Sequence, residues 1–175
     1  MEKNKKIYII LSYTGTILSR IVRLCTKDKY CHASISLDKD LEGMYSFGRK
    51  HPYVAFIGAL VHESPKWGTF KRFKNTCCYI ISIDVTTKQY NKIKELINNM
   101  YKNKEDYKFN VIGLIGVKIN KKIQKPNHYY CAEFVKYVLD EAEIDLELPL
   151  LIKPSDFMNI ESDFIYEGLL REYNQ

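Results

Sequence analysis

The chain has 175 residues, 46% of them hydrophobic, and its 27 Lys and Arg against 21 Asp and Glu give a formal net charge of +6. That length and apolar content suit one sizeable core, so residues 1–175 read as a single domain. The positive charge is scattered rather than gathered into a stripe, which argues against a nucleic-acid partner, and no run is long and apolar enough for a membrane span.

The N-terminal "MEKNKKIYIILSYTG" starts with charge, but its short apolar run is followed by no small-residue cleavage pattern and reads as a strand. The five cysteines, Cys25, Cys31, Cys77, Cys78 and Cys131, are odd in number and irregularly spaced, so no disulfide framework is expected. The expectation is a cytoplasmic protein with free thiols.

Lys6 to Tyr13, "KIYIILSY", reads as a buried strand ended by Thr14 and Gly15. Ile17, Leu18, Ile21, Val22 and Cys25 then recur at helical spacing, with Thr14 or Thr16 as cap. In "CHASISLD" the alternation puts Ala33, Ile35 and Leu37 on an apolar face and His32, Ser34 and Ser36 on a polar one. "GMYSFGRK", Gly43 to Lys50, forms the next strand of a hairpin through the acidic turn "DKDLEG". The stretch from His51 to Phe73, with Gly58, Pro65 and Gly68, reads as loop mixed with short strand.

"CCYIISIDV" is a further strand whose adjacent Cys77 and Cys78 point to opposite faces. Tyr90, Ile93, Leu96, Ile97, Met100 and Tyr101 mark an amphipathic helix capped by Thr86 or Thr87. "YKFNVIGLIGVKI" is open between helix and packed loop, and "KINKKIQK", Lys118 to Lys125, reads as a solvated basic loop. A helix follows at Cys131, burying Phe134, Val135, Val138, Leu139 and Ala142; the tail is broken by Pro149 and Pro154 into extended pieces and a short turn. This order argues for an α+β domain with a sheet packed against helices.

Two positions carry chemistry. Cys131 stands in the first turn of its helix, where unpaired N–H groups and the helix dipole favour a thiolate, and His32 opens the polar face of a strand. A thiol nucleophile needs such a base, and the imidazole needs a polar group to hold its tautomer. Ser46 on the facing strand has suitable placement; Glu63, in "VHESP", has the stronger chemistry. Cys25, Cys31 and His32 lack zinc-site spacing, and "GLIG" lacks the pattern of a phosphate loop, so neither metal nor cofactor is expected.

"KYCHASISLD", "MYSFGRK" and "YYCAEFVKYVLDEAEI" together resemble the circularly permuted branch of the papain-like, NlpC-type superfamily, bacterial amidase- or peptidase-like proteins of the YiiX and YycO kind. In that branch the histidine strand precedes the cysteine helix, as here, and the likeness runs from "LSYTGTILSRIVRLCTKDKY" to "IKPSDF". It implies a permuted papain-like fold with an antiparallel sheet against helices, Cys131 as nucleophile, His32 as general base and Ser46 as third group. A glutamate or histidine is expected at that third place in many relatives, so serine is a departure and Glu63 stays open as a substitute. Tyr130, Tyr13 and Thr14 are candidates to line the substrate cleft, with packing as the alternative for the tyrosines.

The resulting expectation is a cysteine hydrolase that cleaves a peptide or isopeptide amide through an acyl-thioester. An acyltransferase on the same pair, or a catalytically weak binding module, are the alternatives. The partner would be a small-molecule, peptide or acyl substrate, and the sequence leaves the oligomeric state open.

Overall fold

The computed structural model describes residues 4–16, 19, 20, 23, 28–51 and 54–173, without the side chains of 49, 51, 54–57 and 118. The apolar stripe expected at Ile17, Leu18, Ile21, Val22 and Cys25 lies outside the described residues; Ser19, Arg20 and Arg23 between them have helical backbone.

The architecture is mixed α+β, with a six-stranded antiparallel sheet packed against helices. Strand β1 (Lys5–Tyr13) lies inside the sheet between β2 (His32–Ser36) and β5 (Cys77–Val85). Its continuous apolar run follows from burial on both faces, Ile7, Ile9 and Leu11 on one and Tyr8 and Ile10 on the other. Beyond β2 come β3 (Met44–His51) and the edge strand β4 (Val54–Glu63).

Helix α1 (Gly68–Arg72) follows β4, so the stretch expected to mix loop with short strand instead forms a ten-residue strand and a helical turn. Gly58 misleads a local reading because its purpose is close packing: a Cβ there would lie 2.6 Å from the Phe109 ring.

Helix α2 (Thr87–Lys102) begins at a reciprocal cap, Gln89 N–H donating to Thr86 Oγ1 at 3.2 Å and Thr86 N–H to Gln89 Oε1 at 3.0 Å. The ambiguous apolar stretch divides into β6 (Lys108–Phe109) and α3 (Val111–Lys118); β6 pairs in parallel with β7 (His128–Tyr129), which leads directly into α4 (Cys131–Glu141). The tail holds a 3-10 turn at Pro154–Met158 and, unforeseen, β8 (Asp163–Leu169), the second edge of the sheet. Phe164 in that strand is 60% exposed, and an edge strand this open shows weak apolar alternation.

Two apolar layers sandwich the sheet. Ile93 and Ile97 of α2 and Phe134, Val135, Val138 and Leu139 of α4 cover the face of Ile7, Ile9, Leu11, Ala33, Ile35 and Phe47. On the other face, Tyr8, Ile10, Met44, Cys78 and Ile80 meet Leu41, Phe70 of α1 and Leu170. No helix among the described residues is long and apolar enough to cross a membrane.

Phe134 is fully buried against Phe47, with ring centroids 5.4 Å apart, and it fixes α4 on the sheet. Phe134→Ala is expected to destabilise the fold by about 3–5 kcal/mol in urea unfolding. A loss too small to measure would contradict this seating of the helix.

Candidate active site

His32 opens β2 opposite Ser12 of β1, on the same face as Ser34 and Ser36. Its Nε2 lies 3.2 Å from Glu63 Oε1 and 3.3 Å from Glu63 Oε2. Glu63 ends β4, two strands away, so its carboxylate must cross β3 to reach the ring. Gly48 supplies the room: a Cβ at that position would sit 3.0 Å from Glu63 Oε1 and 3.0 Å from Ser46 Oγ. Strands β2 and β3 pair only at Ile35↔Tyr45 and Ser36↔Met44, short of the level of His32. Ser34 Oγ completes the cradle by donating to Glu63 Oε2 at 2.7 Å.

The two charges sustain each other. Burial alone would push the His32 imidazole down; the Glu63 charge, a hydrogen bond with the Cys131 thiol and the hydrogen bond with Glu63 together outweigh burial and lift it to about 10. Burial likewise works against the Glu63 carboxylate, yet the His32 charge and the His32, Ser34 and Ser46 side chains hold it below the ordinary carboxylate value. The outcome is an imidazolium–carboxylate pair.

Cys131 is the first residue of α4 and 5% exposed. The helix start is organised by Glu133, whose Oε2 accepts from the Tyr130 N–H and from Asn110 Nδ2, both at 3.2 Å. Asn110 also donates its N–H to the Tyr129 carbonyl at 3.0 Å, tying α3 to the same turn. The Cys131 side chain also reaches the His32 ring.

Thus Cys131, His32 and Glu63 meet, and Ser46 does not join them in the expected way. Ser46 is fully buried and its Oγ makes no hydrogen bond of good geometry; it stands beside the carboxylate rather than on the imidazole. The reason is reach, because a serine hydroxyl on β3 stays at its own strand while the longer glutamate spans the gap over Gly48.

Tyr130 does not line a cleft: its ring is buried and its hydroxyl donates to the Ile152 carbonyl at 2.8 Å. Tyr13 is half-buried under the Arg23 guanidinium, 4.9 Å from the ring centre, and Thr14 Oγ1 lies 3.1 Å from Thr16 Oγ1. Cys25 is outside the described residues, among which no cluster of His, Cys, Asp or Glu could hold a metal ion. Sequence reasoning passed over Ser34, Gly48, Asn110 and Glu133; the pattern Tyr-Cys-Ala-Glu, with a carboxylate at the third helical position, was the available capping signal for the last. The chain matches no protein-family profile, no curated protein and no solved structure.

The raised His32 value sets a pH dependence. A group that binds its proton more tightly when folded adds stability fully present below its unfolded value of 6.5 and lost as pH rises through about 10. Unfolding free energy is therefore expected to decline between pH 7 and 10, and Glu63→Gln should flatten that decline and lower the His32 midpoint in an NMR titration. A wild-type midpoint below 7 would contradict the pairing.

Proposed function

We propose that the protein is a thiol hydrolase of the permuted papain-like, NlpC-type kind, cleaving a peptide or isopeptide amide with Cys131 as nucleophile, His32 as acid and base, and Glu63 as the orienting group. The observation that carries the reading is the His32 ring held between a buried carboxylate and the thiol at a helix N-terminus.

In the proposed cycle Cys131 reacts as the thiolate beside the His32 imidazolium: the sulfur attacks the amide carbonyl, and the C–N bond breaks as His32 gives its proton to the leaving amine. Water then adds to the thioester while His32 takes a proton from it, and the C–S bond breaks, releasing the carboxylic acid and restoring the thiolate–imidazolium pair. The Cys131 N–H, one of the donors that a helix start leaves without an intrahelical acceptor, faces the oxyanion. Glu63 replaces Ser46 as orienter, which removes the weak third group that would have favoured a catalytically weak binding module. An acyltransferase would use the same first half-reaction with an amine or alcohol in place of water.

The test is intact-mass detection of an acyl adduct after exposure to a panel of amide and acyl substrates. An adduct is expected in the wild type and absent in Cys131→Ala. Turnover should fall by about 10²–10⁴ in His32→Ala, fall in Glu63→Gln, and stay nearly unchanged in Ser46→Ala. In parallel, His32→Ala should slow iodoacetamide alkylation at Cys131 and leave the exposed Cys77 unaffected. Alkylation of Cys131 that ignores the histidine would sink the catalytic pair.

A further inference from the structure

The segment between β6 and α4 is unlike the rest of the surface. Val111, Ile112, Ile115 and Ile119 are between 44% and 55% exposed and fall on one side of α3 and its C-terminal cap. The inner side cannot take their place, because it is built for contact with backbone and amide groups. A Cβ on Gly113 would lie 2.3 Å from Asn110 Nδ2, and one on Gly116 would lie 2.3 Å from the Lys121 carbonyl oxygen. Asn110 clamps this side, accepting from the Gly113 N–H at 2.8 Å and donating to the Ile123 carbonyl at 3.1 Å. The aliphatic side chains are thereby held outward on an ordered helix, where four clustered branched residues are costly to leave in water.

Along the segment that carries this patch the charge has one sign, although the exposed Glu105 and Asp106 stand just before it. From Tyr107 to Ala132 the chain has five lysines, Lys108, Lys118, Lys121, Lys122 and Lys125, and no Asp or Glu. Lys108, Lys121, Lys122 and Lys125 are exposed. The Glu133 carboxylate, which feels the Lys122 charge, is turned inward onto Asn110 and the Tyr130 N–H. An aliphatic helix face followed directly by a lysine-rich loop matches a surface that offers both acyl chains and negative headgroups.

We propose that α3 and the basic loop after it form a peripheral docking surface for an anionic lipid bilayer, with the four aliphatic residues entering the interface and the lysines meeting the headgroups. The helix has eight residues, so the contact lies on the membrane and does not span it. This inference is independent of the chemistry at Cys131, though Asn110 ties the patch to the first turn of α4 and would set that turn close to the bilayer surface.

The full chain is tested by co-sedimentation with vesicles of phosphatidylcholine alone and of phosphatidylcholine mixed with phosphatidylserine, at low and high salt. Binding is expected to the anionic vesicles, to weaken with salt, and to fall about tenfold in both Ile112→Asn/Ile115→Asn and Lys121→Glu/Lys122→Glu. The exposed pair on α2 in Lys92→Glu/Lys94→Glu serves as the charge control and should leave binding intact. Equal binding to both vesicle types, no binding to either, or equal loss in the α2 variant would overturn the proposal. So would a concentration-dependent dimer that Ile112→Asn/Ile115→Asn dissolves while vesicles go unbound, since the patch would then meet a second copy of the chain.

Discussion

The largely buried pair between His32 and Glu63 is the constraint around which this half of the sheet is organised. Two charges removed from water lose several kcal/mol each in hydration, and their attraction offsets this only with good geometry and satisfied neighbours. Each neighbouring feature serves that end. The order β2, β3, β4 carries Glu63 two strands from His32, Gly48 opens the intervening strand, and Ser34 gives the carboxylate a short hydrogen bond. A glutamate has the length to cross this distance, whereas an aspartate at 63 would stop near β3 and leave the imidazole unpaired.

The same constraint explains what a reading of the sequence reached and what it missed. The helices at Thr87–Lys102 and Cys131–Glu141 were legible because their apolar residues repeat at helical spacing, and the first also because Thr86 offers a local cap. His32 was legible as a polar-face residue from the alternation of "CHASISLD". The choice between Ser46 and Glu63 as the partner of the ring was not, because it depends on a strand masked by Gly58 and on a glycine whose purpose appears only across three strands. Edge strand β8 escaped for a related reason: it is stabilised by pairing to β5 from Cys77↔Leu169 to Ser82↔Asp163 rather than by a buried face of its own.

Alternation also carries a second lesson. The side of the sheet that holds His32 reads as solvent-facing, yet Ser12, Ser34, Ser36, Ser46 and Ser82 on it are all fully buried. Ser12, Ser46 and Ser82 have no hydrogen bond on Oγ, an arrangement that costs about 1–3 kcal/mol for each such group. Small hydroxyls leave little bulk around the ring, and their dipoles are free to turn toward a buried charge. Ser12 stands directly across from His32, and Ser46 adds to the forces that keep Glu63 ionised. The polarity of this face is thus matched to an ion pair inside the sheet rather than to water outside it.

Within the proposed cycle, one further consequence follows from what raises His32. Burial opposes the protonated ring, and the Glu63 charge and the Cys131 sulfur both favour it. Before the sulfur attacks, both contributions are present and the ring keeps its proton; once the S–C bond forms, the ring is an acid suited to protonating a leaving amine. Once the sulfur is bound into a thioester it carries neither charge nor proton, so its contribution disappears while that of Glu63 remains. Burial then weighs more heavily, the ring holds its proton less tightly, and the departing amine has already taken that proton away. In the proposed cycle the acylation state of Cys131 would thus turn His32 from the acid of the first half-reaction into the base of the second, with the Glu63 carboxylate fixing the ring in place through both.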